Sequence, residues 1–161
     1  MSILKVDTIN ETTTGNGVAI PNHVIQVVNN QSSSGQISTT TGQYIGTPYT
    51  GTITPKLATS KIYVLLSFSV LIRGSSVGGA IGLSLLRGTT RLTTSPNNPH
   101  ELFHGDDTLM GNRQHYAYLD SPSTTSATTY TFEAYPRYSG QTTEFDSRQS
   151  TWAMTLMEIG Q

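Results

Sequence analysis

Apolar and polar residues alternate along most of this chain, and a period of two is the mark of a β-strand that hides one face. The pattern is clearest from Lys61 to Arg73. Ile62, Val64, Leu66, Phe68, Val70 and Ile72 point one way; Tyr63, Leu65, Ser67, Ser69, Leu71 and Arg73 point the other. Fully extended, the segment reaches about 43 Å. A helix would scatter the same side chains around its circumference. The first face is therefore core, and the second, half apolar, is expected to be partly covered. Further strands are predicted over residues 24–29, 51–54 (between Pro48 and Pro55), 80–87 (with Ile81, Leu83 and Leu85 together), 113–119, 129–135 and 151–159. Turn-forming clusters separate them at 74–79, 95–99, 105–107, 120–123 and 139–143. No segment carries a 3.6-residue period. Strands at this spacing predict an all-β domain, a sandwich or barrel.

The N-terminal region has a different texture. Leu4 and Val6 alternate with Lys5 and Asp7, Ile9 follows, a turn-rich stretch spans 12–17, and Val18 and Ile20 come after it. This reads as a hairpin-like unit with few apolar residues, and a lone hairpin is marginal in water. Leu4, Val6, Ile9, Val18 and Ile20 are therefore expected to be buried against the main domain, a sister subunit or a docking partner. Residues 1–28 are read as an attachment and trimerisation segment. Residues 29–42, almost all Asn, Gln, Ser, Thr and Gly, are read as a polar linker or loop. Residues 43–161 form the head domain.

Composition narrows the function. A chain of 161 residues can bury about 70% of the surface its unfolded form exposes, so neither metal nor disulfide is required for folding. There is no cysteine, and charged residues make up 12% against about a quarter in ordinary domains. The net charge of −1 draws the chain towards neither nucleic acid nor anionic lipid, and offers little self-repulsion to an associating protein. Met1 to Asn10 lacks an apolar core of signal-peptide length. The stretch Tyr63 to Ile72 is broken by Ser67 and Ser69 and is about half of what a membrane helix needs. No membrane insertion is expected.

Candidate chemistry is sparse. His100, Glu101, His104, Asp106 and Asp107 form the one cluster with metal-ligating side chains. Flanking Pro99 and Gly105 argue against a helix, and on a strand the two histidines would stand about 13 Å apart, too far for one ion. The cluster is read as a polar surface loop, with no metal and no cofactor. No Gly-x-Ser-x-Gly elbow is present. Glu133, Glu144, Asp146 and Asp120 are available acids, but nothing in the sequence brings two together as glycoside cleavage requires. Gly78-Gly79-Ala80-Ile81-Gly82 lacks the P-loop lysine and is read as a tight turn. No catalytic residue is assigned. The eight tyrosines suit half-buried strand faces; Tyr135, Arg137 and Tyr138, beside Pro136 and a glycine turn, are the best candidates for ligand contact.

The N-terminal run Ser2 to Ile9, then Gly15 to Val27, looks like that of small virion proteins of aquatic and marine tailed bacteriophages, structural proteins of the tail-fibre-like kind. Ile53-Thr54-Pro55, Leu86-Arg87-Gly88, Leu119-Asp120-Ser121-Pro122, Tyr130 and the closing Ser150-Thr151-Trp152 with Met157-Glu158-Ile159 extend the resemblance over nearly the whole chain. It implies a homotrimeric virion component with a jelly-roll-like β-sandwich head, assembled in the host cytoplasm and in contact with other virion proteins of tail or capsid. A tail-fibre role implies a host-surface glycan or receptor as partner. Capsid decoration, as a cement or head-knob protein, implies none. A lectin-like module outside a particle is the reading from a different class.

Overall fold

The computed structural model describes residues 8, 10, 22–33, 37–39, 44–73, 79–93, 102–104, 109–136, 142–145 and 151–161. Among these residues, strands form over the alternating segments, and the apolar set of β4 is turned inward. In chain order the described strands are β1 (Val24–Ser32), β2 (Ile37–Thr39), β3 (Ile45–Ile53), β4 (Lys61–Arg73), β5 (Gly79–Arg87), β6 (Thr90–Arg91), β7 (Leu102–His104), β8 (Leu109–Asp120), β9 (Thr128–Pro136), β10 (Thr142–Phe145) and β11 (Trp152–Ile159).

All pairings are antiparallel, in two sheets. Sheet I has the order β1-β11-β4-β8. Because β4 is long, it pairs with β11 over 61–67 and with β10 over 70–73, and β10 in turn pairs with β2. Sheet II has the order β3-β9-β5, and β6 and β7 share the fourth position beside opposite ends of β5. Each sheet is thus four strand positions wide. Consecutive strands lie in different sheets at β2/β3, β3/β4, β4/β5, β7/β8, β8/β9 and β9/β10. This is the strand order of a jelly roll, the double-sheet arrangement of two Greek keys.

The core lies between the sheets. Ile62, Val64, Leu66, Phe68 and Val70 of β4 are each 2% exposed or less. They meet Ile81, Leu83 and Leu85 of β5 and Tyr130, Phe132 and Ala134 of β9 in one cluster. The Tyr49 ring lies 5.3 Å from Phe68 and 5.5 Å from Trp152, and Tyr116 meets Phe132 edge-on at 4.9 Å. Such pairs add about 0.5–1.5 kcal/mol each beyond their buried area. Gly51 of β3 faces β11 so closely that a Cβ there would stand 2.9 Å from Met154 Sδ and 3.2 Å from Leu156 Cδ1.

Polar groups tie the two sheets at their margins. Arg87 of β5 donates to both carboxylate oxygens of Asp120 on β8 at 2.9 Å, and the buried Tyr130 hydroxyl donates to Asp120 Oδ2 at 2.7 Å. Burial raises the Tyr130 pKa well above the ordinary tyrosine value, and the Asp120 carboxylate raises it further. Glu158, fully buried on β11, accepts hydrogen bonds from the backbone N–H groups of Lys56 (2.8 Å) and Leu57 (3.1 Å) and from the Gln26 amide (2.6 Å). Along the edge, Gln26 and Asn30 of β1 donate to the backbone carbonyls of Thr54 and Thr50, each at 2.7 Å.

Several boundaries differ from those read in the sequence. The division drawn at 28/29 falls inside β1, where Asn29, Asn30, Gln31 and Ser32 continue pairing with β11 as far as Trp152. Their polar side chains hide the alternation, but the Asn29 amide donates to Thr155 Oγ1 at 2.8 Å and Asn30 bonds to β3. Ile37–Thr39 of the expected linker pairs with β10, whose Thr142 and Thr143 had been assigned to a turn. Gly79 and Gly82, expected in a tight turn, lie within β5. The turn that follows β5 is a two-residue hairpin: Arg87 pairs with Thr90, and Gly88 takes a φ of +56°. Glycine at the first central position with positive φ is the type II′ arrangement, so β6 exists because Gly88 permits it.

Candidate functional site

Of the proposed ligand contacts, Tyr135 is described; Arg137 and Tyr138 lie outside the described residues, as do Leu4, Val6, Ile9, Val18 and Ile20 of the attachment segment. His100, Glu101, Asp106 and Asp107 also lie outside them. His104 is the last residue of β7, paired with Gly79. Among the described residues no group of three His, Cys, Asp or Glu could hold a metal. The described candidate acids, Asp120, Glu133 and Glu144, occupy separate surroundings. Asp120 shares the inward face with Ile62 and is bound by Arg87 and Tyr130. Glu133 points outward from sheet II and is paired with Arg91. Glu144 pairs with Leu71 on sheet I, and Asp146 lies outside the described residues.

What the fold presents instead is two outer faces of opposite character. The outer face of sheet II is polar. On β3 and β9, Thr52 Oγ1 and Thr129 Oγ1 share a hydrogen bond of 2.8 Å, and the Thr50 hydroxyl donates to the Tyr130 carbonyl at 3.2 Å. Tyr135 is on this face, opposite Gly82 of β5. Its ring lies 5.0 Å from that of Tyr44 at a 46° tilt, and the Arg91 guanidinium stands over Tyr44, 4.0 Å from the ring centroid, while ion-pairing with Glu133. Ser84, opposite Glu133 in register, is fully buried. Neither its hydroxyl nor that of Tyr44 has a hydrogen-bond partner among the described residues. A cation over an aromatic ring at an exposed site contributes about 0.5–1 kcal/mol, and an exposed ion pair about 0–1 kcal/mol. The cluster fixes a guanidinium, a carboxylate and two phenol rings side by side, an arrangement suited to holding a polar ligand. It supplies neither a nucleophile with its base nor two facing acids.

The outer face of sheet I has an apolar centre with polar rows around it. Val27 pairs with Met157, Met157 with Tyr63, and Tyr63 with Leu119, so one row of apolar side chains crosses all four strand positions. The row on one side holds Leu65 and Ala117 with Asn29 and Thr155, and the row on the other holds Val24 and Ile159 with Lys61. Val24, Val27 and Leu119 are 47%, 55% and 47% exposed, and they are the exposed large hydrophobic residues among those described. All three fall on this one face. Arg113, further along it, is held by Ser67 Oγ at 3.1 Å and the Thr151 carbonyl at 3.0 Å.

No family model and no curated protein matches the chain. Solved structures do. A chain from the structure of infectious bursal disease virus, Gt strain, aligns with a TM-score of 0.50 at 14% identity, over 98% of this chain and 42% of that one. One from the Gx strain aligns with a TM-score of 0.44 at 9% identity, over 97% and 44%. This chain spans less than half the length of the chains it matches. At 14% identity the likeness to the Gt-strain chain is one of fold, and it agrees with the strand order described above.

Sequence reasoning named Tyr135 as a candidate but not the residues around it. Tyr44 reaches Tyr135 through the pairing of β3 with β9, and Arg91 reaches Tyr44 through the pairing of β6 with β5 and of β5 with β9, and no local motif signals that. The half-apolar second face of β4 was legible. Its continuation into Val27, Met157 and Leu119 depended on register, which alternation alone does not give.

Proposed function

We propose that this chain is a non-enzymatic virion structural protein of the tail-fibre-like kind, assembled as a homotrimer and projecting from a bacteriophage particle. The contrast between the two outer faces carries the reading: one with an exposed apolar row suited to burial in an assembly, and a polar one suited to water or to a ligand. The jelly-roll order supports it, since that fold recurs in viral capsid and lectin domains. So does the likeness of fold to a chain from the structure of infectious bursal disease virus. Asp120, Glu133 and Glu158 serve as ion-pair and hydrogen-bond partners, which favours a structural role over a hydrolytic one. In this reading, Tyr44, Tyr135, Arg91 and Glu133 form the surface offered to a host glycan or receptor. The residues ahead of β1 contribute the attachment to other virion proteins.

The test is the location and copy number of the chain in purified particles, by cryo-electron microscopy with quantitative mass spectrometry. A few copies, confined to the tail, are expected. Density repeated over the capsid lattice at dozens of copies or more would make it a decoration protein, and absence from particles would refute a virion role.

A further inference from the structure

We infer that a second copy of this chain packs on the outer face of sheet I, centred on the row Val27, Met157, Tyr63 and Leu119. The inference rests on the homo-oligomeric reading above and gives that oligomer its surface. Three properties of the face favour a copy of itself as occupant.

The first is the distribution of apolar residues. Single exposed hydrophobic residues are ordinary on soluble proteins, but contiguous patches mark interaction sites. Here the row is continuous across four paired strands. Its two ends, Val27 and Leu119, remain about half exposed. On sheet II the corresponding positions of β3 and β9 carry threonines.

The second is size. Four strands about 4.8 Å apart, along the roughly 43 Å of β4, make a face of about 800 Å², with the apolar row as its centre and polar residues such as Ser67, Ser69 and His115 around it. That is the share one partner contributes to an interface of standard size, and the arrangement of apolar core and polar rim is that of an interface.

The third is charge. Lys61 lies at one end of the face, and Arg113 and Glu144 lie towards the other. The row between them is uncharged, so it gives no electrostatic preference to a basic or acidic partner. With a net charge of −1 per chain, copies approach one another with little repulsion.

Size-exclusion chromatography with light scattering on the full chain tests this directly. The wild type is expected to be oligomeric at micromolar concentration. Val27→Glu and Leu119→Glu, on the two edge strands, each place an unpaired carboxylate in the contact and should weaken association about a hundredfold or more. Thr131→Glu, on the opposite outer face, should keep the wild-type mass. A monomeric wild type, or glutamate variants that associate as tightly as the wild type, would overturn the inference. Presence in particles would still decide the virion role separately. Should both variants misfold, Leu119→Cys gives an independent readout in a chain without other thiols: its maleimide labelling should slow as protein concentration rises, and a concentration-independent rate would refute the contact.

Discussion

Glu158 is the residue whose surroundings say most about its purpose. Burial opposes its charge. The N–H groups of Lys56 and Leu57 and the Gln26 amide outweigh that, aided by the Ser60 hydroxyl, which faces the carboxylate without closing a bond of ordinary geometry. Its pKa is therefore held below the ordinary carboxylate value. A carboxyl with a pKa lowered by folding stabilises the native state above its unfolded value, and that contribution is lost as pH falls through the lowered native value. Glu158→Gln should cost about 2 kcal/mol at neutral pH, since it puts an amide among donors that were bonded to a carboxylate. The variant should also show a flatter loss of stability in acid. Urea midpoints measured from neutral to acid pH would show the gap between the two proteins closing as the pH falls.

At the scale of elements, the strands are held as much by close approach as by pairing. Gly51 lets the edge of sheet II approach β11, with Met154 and Leu156 in the space a side chain would take. Gly51→Val should destabilise the protein by about 1–3 kcal/mol, because the core must shift to admit the added carbons; a lowered denaturant midpoint with an unchanged slope would report it. The broken strand positions make a related point. β10 and β11 together nearly match the length of β4, and β6 and β7 pair with the two ends of β5. Strands of two to four residues are too short to show a period, which is why β2, β6, β7 and β10 were not legible in the sequence. Long strands such as β4, with five inward apolar side chains buried to 2% exposure or less, were.

For the whole molecule, the jelly roll leaves two broad outer faces, and the division of labour between them follows from composition. Threonines, Glu133 and the Tyr44–Tyr135 pair keep sheet II compatible with water; Val27, Met157, Tyr63 and Leu119 make sheet I a surface to be covered. The core of the described residues runs from Tyr49 to Leu156, and Asn22 already bonds to Gly160 at 2.8 Å. Deleting Met1 to Ile20 should therefore leave the sandwich folded, with near-native circular dichroism, while abolishing incorporation into particles. Retained incorporation would transfer docking to the sandwich itself.

The amino-acid sequence by itself determined the all-β class, the inward faces of β4 and β5 and the half-apolar character of β4's second face. Each of these depends only on a period of two, a local property of the chain. It also marked Tyr135 as a candidate contact. Tertiary structure alone decided that β1 runs through Asn29–Ser32, that Tyr135 meets Tyr44 with Arg91 over the Tyr44 ring, and that four separate strands join their apolar residues into one row. Those outcomes depend on which strands are neighbours and in what register, and strand pairing is fixed by the packing of the whole core rather than by any segment read alone.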